Sequence, residues 1–162
     1  MAENRALWTD IERDLASAKL DAQRAAVRAR KIEDAGNGLD ADERLTLETA
    51  VRTTLHDCYT AMEAALERII EAIDGQRPTG SDYHVQLVHR PANPIAGLRP
   101  AIISDATAAA LQVLRGFRRA ARHVYGSFDY SRAVPNVAIA VRAVASFETD
   151  LANFADAMGL RG

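Results

Sequence analysis

Residues 34–43 read DAGNGLDADE, and the fold turns on how this stretch divides the chain. Gly36, Asn37 and Gly38 stop one helix, because both glycines tolerate the positive φ that a helix C-terminus favours. Asp40 and Glu43 start the next, with a side-chain acceptor at N-cap and a carboxylate at N3. Upstream, Glu3 to Asp34 carries two apolar rows at heptad spacing. Trp8, Leu15, Ala22 and Ala29 form one row, and Ile11, Ala18, Ala25 and Ile32 form the other. Rows at alternating three- and four-residue steps define one helix face, and the alanines allow close approach of a neighbour. Downstream, Leu47, Val51, Leu55, Cys58, Met62, Ala65, Ile69 and Ile73 keep the same spacing as far as Asp74, where Gly75 ends the run. Two long helices joined by so short a turn are expected to pack as an antiparallel hairpin.

From Gly75 to Pro100 the chain changes character, with Pro78, Gly80, Pro91, Pro94, Gly97 and Pro100 as breakers. Between them, Asp82 to His89 has room for two turns of helix anchored by Leu87 and Val88. His84 and His89 lie here without a neighbouring carboxylate or thiol cluster, which makes a poor metal site. The plainer expectation is a loop and short helix capping one end of a bundle. Ser104 suits the N-cap of a further helix, with Asp105 against the positive end of its dipole. Ala108, Leu111, Leu114, Phe117, Ala121 and Val124 give its apolar side, and Gly126 is read as its end. Pro135 fits the first position of a last helix, with Val137, Val141, Val144, Phe147, Leu151, Phe154 and Met158 facing the core. Strand-like alternation is absent. The sequence therefore predicts an all-α antiparallel bundle of four main helices plus a short fifth, built as one domain over residues 1–162.

The totals agree with that class. A chain of 162 residues with 48% apolar and 26% charged residues is long enough for a sizeable core and too apolar to be disordered. Gly (9) and Pro (5) are scarce enough to favour helix. An apolar run long enough to span a membrane is missing, and MAENRALWTD lacks the basic and apolar regions of a secretory signal. One cysteine, Cys58, cannot form an internal disulfide, and a cytoplasmic protein is expected. Net charge is −2, but residues 1–75 carry −6 and residues 76–162 carry +4. A polyanion would therefore meet the second half of the chain.

That positive charge is concentrated in Leu111–Tyr130, LQVLRGFRRAARHVYGSFDY. Arg115, Arg118, Arg119 and Arg122 precede His123 and Tyr125, and acidic residues are missing between Asp105 and Asp129. Arginines on a helix often serve only solubility. The chemistry of RNA cleavage, however, needs few parts. The substrate's 2′-OH is the nucleophile, so a protein need supply only proton transfer and anion stabilisation. A histidine titrating near neutrality does the first, and a guanidinium that grips phosphate bidentately does the second. His123 and Arg118 are the matching residue types. About 100° per residue places them about 140° apart around an ideal helix, whereas Arg119 and His123 share a face. Convergence of Arg118 and His123 then needs the reach of the arginine, a loosened helix end near Gly126, or a site assembled across a dimer axis.

The segment RGFRRAARHVYGSFDYSRAV, with its R-x4-H-x-Y pattern at Arg118, His123 and Tyr125, resembles the C-terminal region of HepT-like ribonuclease toxins of the HEPN superfamily. More loosely, the likeness takes in the paired long helices, Tyr59 in the second, Tyr83-His84 in the breaker-rich middle and an Asp-containing start to the last helix. The resemblance implies a helical domain that forms a homodimer, with a metal-independent endoribonuclease site in the cleft between protomers. It implies Arg118 and His123 as catalytic, no cofactor, and RNA as substrate, with Arg115, Arg119 and Arg122 read as phosphate-binding. It also implies an antitoxin of the minimal nucleotidyltransferase (MNT) type, which in some pairs adenylylates the motif tyrosine, here Tyr125. Many HEPN motifs place Asn, Asp or His directly after the arginine. Arg119 stands there instead, a second cation that favours phosphate and disfavours the imidazolium of His123. Two other functions compete. One is a catalytically silent HEPN module that binds a nucleotide or a nucleotidyltransferase partner, and the other is a structural bundle whose arginines face water.

Overall fold

The computed structural model describes the backbone of residues 2–123 and 129–160, and the side chains of residues 5–118 and 129–160. Among these, five α-helices follow one another: α1 (Ala2–Ala35), α2 (Ala41–Ile69), α3 (Tyr83–His89), α4 (Asp105–His123) and α5 (Tyr130–Met158). The four long helices and the short α3 match the expected number and order. Among the described residues there is no helix long and apolar enough to cross a membrane.

The hairpin forms as the sequence reading expects. Gly36 takes φ 51° and opens a 3-10 turn over Gly36–Gly38. Asp40 accepts from the backbone N–H of Glu43 at 2.9 Å, and the Glu43 carboxylate accepts from the Asp40 N–H at 3.0 Å, a reciprocal cap. Arg44 at the start of α2 donates to the Gly36 carbonyl. Near the far end, Arg68 pairs with Asp14 at 2.8 Å and with Asp10 at 3.6 Å. These two sets of contacts fix α1 and α2 as antiparallel. Both α1 rows enter the core, with Ile11, Ala18, Ala22, Ala25 and Ile32 buried and Leu15 and Ala29 packed against them.

Cys58 is buried in the core, and desolvation, aided by the charge of Asp21, pushes its thiol up to about 12. A thiol above its usual range stays protonated as pH rises, so the nucleophilic thiolate is scarce. Native protein at pH 8.5 should therefore resist a maleimide or disulfide reagent, and one thiol should react in denaturant. Fast labelling of the native chain would show that the core opens readily around α2.

Helix α5 lies antiparallel to both α1 and α4. Lys19 pairs with Glu148 at 2.8 Å, and Asp150 accepts from the Ser104 backbone N–H and from the Thr107 hydroxyl at the start of α4. Ser104 caps α4 through the Thr107 N–H, as its residue type predicts. Pro135 does not begin α5. The helix starts five residues earlier, at Tyr130, with Asp129 accepting from the Ser131 N–H at 3.1 Å. Proline inside a helix forfeits one backbone bond, but the earlier start buries Ala133 and packs Tyr130 on the core. A strong cap and added burial outweigh one missing donor. Val141 is likewise displaced from the expected core face and is 43% exposed, because Ala140 takes the inward position on the stripe of Val137, Val144 and Phe147. Gly126, read as the end of α4, lies outside the described residues.

The segment between α2 and α4 is held by charge. The last turn of α2 widens into a π-turn over Ile70–Asp74, closed by Gly75 at φ 74°. The turn carries the Asp74 carboxylate to the Arg99 guanidinium, which grips it with two bonds of 2.6 and 3.0 Å. Both side chains are almost fully buried, at 0% and 1% exposure. Arg99 also donates to the carbonyls of Asn93, Pro100 and Arg90, and Arg90 adds a 2.9 Å contact to Asp74. One arginine thus satisfies three carbonyls of a loop whose own strand-like pairing is a single bridge between Ile95 and Arg99. The anchored loop sets the position of α3, whose Leu87 and Val88 are buried as expected.

Candidate active site

Along α4, Thr107, Leu111 and Leu114 are buried at intervals of four and three residues. The next position on that stripe is Arg118, four residues on. Arg118 therefore points with the core side of α4 into the space between α2 and α3, and its side chain is only 15% exposed. A guanidinium in such a place needs partners, since an unpaired buried charge is costly.

Glu63 of α2 is the principal one. Its carboxylate, 8% exposed, lies 3.3 Å from Arg118 Nη1 through Oε2. Through Oε1 it accepts from the Tyr59 hydroxyl at 2.9 Å and lies 2.7 Å from His84 Nδ1. The Arg118 Nη1 nitrogen is also 3.1 and 3.3 Å from the two ring nitrogens of His84. Its Nε is 3.4 Å from His56 Nε2, and the guanidinium carbon stands 5.9 Å from the Tyr59 ring centroid. The Tyr83 ring meets His84 edge to face at 5.0 Å. The 2.7 Å contact with Glu63 makes Nδ1 the protonated nitrogen of His84, and Arg118 Nη1, almost equidistant from both ring nitrogens, stands against the ring face. Burial, then the negative charge of Glu63, holds the Tyr59 phenol far above its usual range. Tyr59 is therefore a hydrogen-bond donor here and not an acid. Tyr83 is pushed up to about 12 by burial and by Glu67.

The resulting cluster joins α2, α3 and α4. It consists of a buried carboxylate, a guanidinium with one edge enclosed, and an imidazole that is 40% exposed. Such a set can bind an anion at the guanidinium and exchange a proton at the imidazole. The remaining motif residues are distributed differently. Arg115 donates to Gln112 at 2.9 Å, and its charge reaches the Tyr59 hydroxyl. The backbone is helical through His123, so the separation of about 140° from Arg118 applies along this helix. The side chains of Arg119, Arg122 and His123, and the whole of Tyr125, lie outside the described residues.

A family model described as HepT-like protein matches residues 50–158. The chain belongs to the HepT-like family. No curated protein and no solved structure matches it significantly. The matched segment of this HepT-like protein begins within α2 and takes in Tyr59, Glu63, His84, Arg118 and the R-x4-H-x-Y pattern. Sequence reasoning named Arg118 but missed the residues that surround it. Glu63 and His56 are absent from that reading, and His84 enters it as a metal ligand lacking a carboxylate and as part of the Tyr83-His84 pair in the family resemblance, without a catalytic role. That carboxylate comes from α2, twenty-one residues earlier in the chain. A signal did exist: His56, Tyr59 and Glu63 recur at three- and four-residue steps, a polar row on a helix otherwise facing the core.

Proposed function

We propose that this HepT-like protein is a metal-independent endoribonuclease toxin of a toxin–antitoxin pair, with residues 1–162 acting as one domain. Arg118 holds the scissile phosphate and stabilises the charge that develops on it. His123 moves the proton, and Arg115, Arg119 and Arg122 track the RNA backbone. The observation that carries the reading is the setting of Arg118. In this HepT-like chain, the motif arginine lies on the inward stripe of α4, packed against Glu63 and His84, and not on a solvated face. A solubilising arginine would gain nothing from that desolvation. The RNA's own 2′-OH serves as nucleophile, so the proposed chemistry calls for no metal. A growth-arrest comparison of the parent chain with His123→Ala, joined to cleavage in chelator, tests it. Arrest and products with 2′,3′-cyclic phosphate ends, both lost in the variant, are expected.

The separation of Arg118 and His123 around one helix favours a homodimer, in which two motif helices beside a two-fold axis share a positive cleft. Neutralisation is assigned to an MNT-type nucleotidyltransferase that covers this cleft or adenylylates Tyr125. Native and intact mass spectrometry of the chain coexpressed with such a partner reads both points. A dimer carrying adenylyl groups that Tyr125→Phe abolishes is expected. A monomer without added mass that forms no complex would rule out this arrangement.

One observation favours a second reading. Glu63 already offers Arg118 a negative partner, so a phosphate must compete with a carboxylate. A silent module that binds a nucleotide or a nucleotidyltransferase would tolerate that competition better than a nuclease. Calorimetric titration with ATP, showing saturable binding by a chain that leaves RNA intact, would establish it.

A further inference from the structure

We propose that His84 is a second proton-transfer group of this site, acting as the general base, with Glu63 as the positioning residue that fixes its tautomer. The inference rests on the cleavage reading above and deepens it. Forming a 2′,3′-cyclic phosphate requires two proton movements: one leaves the attacking 2′-OH, and another reaches the departing 5′-oxygen. A single histidine must serve both in turn, whereas two groups can serve them together.

The geometry around His84 suits the first movement. Glu63 Oε1 lies 2.7 Å from Nδ1, and the carboxylate is steadied by the Tyr59 hydroxyl at 2.9 Å. A buried carboxylate on Nδ1–H fixes the tautomer and leaves Nε2 with its lone pair. The ring is also the exposed member of the cluster, at 40% against 8% for Glu63. Among the described residues, the groups around it are Glu63, Tyr59 and, through Arg118, His56 from α2, Tyr83 from α3 and Arg118 from α4. Arg118 Nη1 stands 3.1 Å from Nδ1 and 3.3 Å from Nε2, so a phosphate held by the guanidinium arrives beside the ring.

The step balances without any other reactant. The 2′-OH gives its proton to His84 Nε2 as its oxygen bonds to phosphorus. The P–O5′ bond breaks, and the 5′-oxygen takes a proton from the imidazolium of His123. Exchange with water then resets both rings.

The test uses the full chain in chelator with a short RNA. His84→Asn keeps a donor for Glu63 through its side-chain amide but cannot titrate. Cleavage should fall by about 10²–10⁴-fold with RNA affinity unchanged, and one limb of the bell-shaped pH–rate profile should vanish. Added imidazole should restore part of the activity of His84→Ala, and Glu63→Gln should lower kcat without raising KM, since the carboxylate no longer competes for Arg118. Histidine ¹⁵N spectra of the parent should show His84 protonated at Nδ1, with its Nε2 signal moved by a 2′,3′-cyclic mononucleotide. An active parent whose His84→Asn variant keeps both limbs overturns the role of His84 alone. An Nε2-protonated His84 overturns it as well. A parent that cleaves no RNA overturns the cleavage reading first.

Discussion

Replacing His123 with alanine should lower RNA cleavage by about 10²–10⁴-fold, the usual contribution of general acid–base assistance, and leave RNA affinity nearly intact. That loss is large enough to abolish toxicity. Arg118→Lys should also fail, because an ammonium lacks the planar fork that grips phosphate through two bonds. The surroundings of Arg118 sharpen the expectation. Its Nη1 serves both Glu63 and His84 while its Nε reaches His56. A lysine offers one point charge where the guanidinium offers several directed donors. Arg115, Arg119 and Arg122 should behave otherwise. Replacing any of them should weaken RNA binding and reduce the salt dependence by roughly one slope unit per lost phosphate contact, with cleavage retained at saturating RNA. Binding and cleavage assays on all five variants in metal-free buffer separate these outcomes. A His123→Ala chain that cleaves as well as the parent would end the ribonuclease reading and leave the arginine helix as a binding surface.

The second large effect belongs to stability. Asp74→Ala or Asp74→Asn should cost about 3–5 kcal/mol, the range for breaking a buried ion pair by removing one partner. Asp74 is the anion for two arginines, Arg99 at 2.6 Å and Arg90 at 2.9 Å, and Arg99 has no exposure to water with which to recover. A loss of that size is a large part of the roughly 5–15 kcal/mol by which proteins of ordinary size are stable. Arg99 also holds the carbonyls of Asn93, Pro100 and Arg90, so the loop before α4 should loosen before the α1–α2 hairpin does. Urea unfolding followed by circular dichroism gives the first quantity, and amide exchange gives the order of opening. A loss under about 1 kcal/mol, the scale of a solvated surface pair, would show that the pair is hydrated and does not hold the loop.

These two expectations draw on different kinds of information. The helices themselves are local matters. Heptad rows from Trp8 to Ile32, the Asp40–Glu43 cap and the glycine at position 36 each state their role within a few residues, because helix periodicity and capping are set by neighbours in sequence. Even Arg118 was legible as a candidate from its place in R-x4-H-x-Y. Pro135 misled because its local preference for a first turn was weighed without the burial gained by starting α5 at Tyr130. The partners of Arg118 were not legible in the same way. Glu63 and His84 are separated from it by 55 and 34 residues, and their meeting depends on how α2, α3 and α4 pack. The same holds for Asp74 and Arg99, joined across a π-turn and a loop without repeating pattern. Sequence by itself determined the number and order of the helices, most of the faces they bury and which arginine to watch. Only the tertiary structure decided that this arginine turns inward onto a carboxylate and an imidazole, because charge pairing at a distance is selected by packing and leaves no periodic trace in the chain.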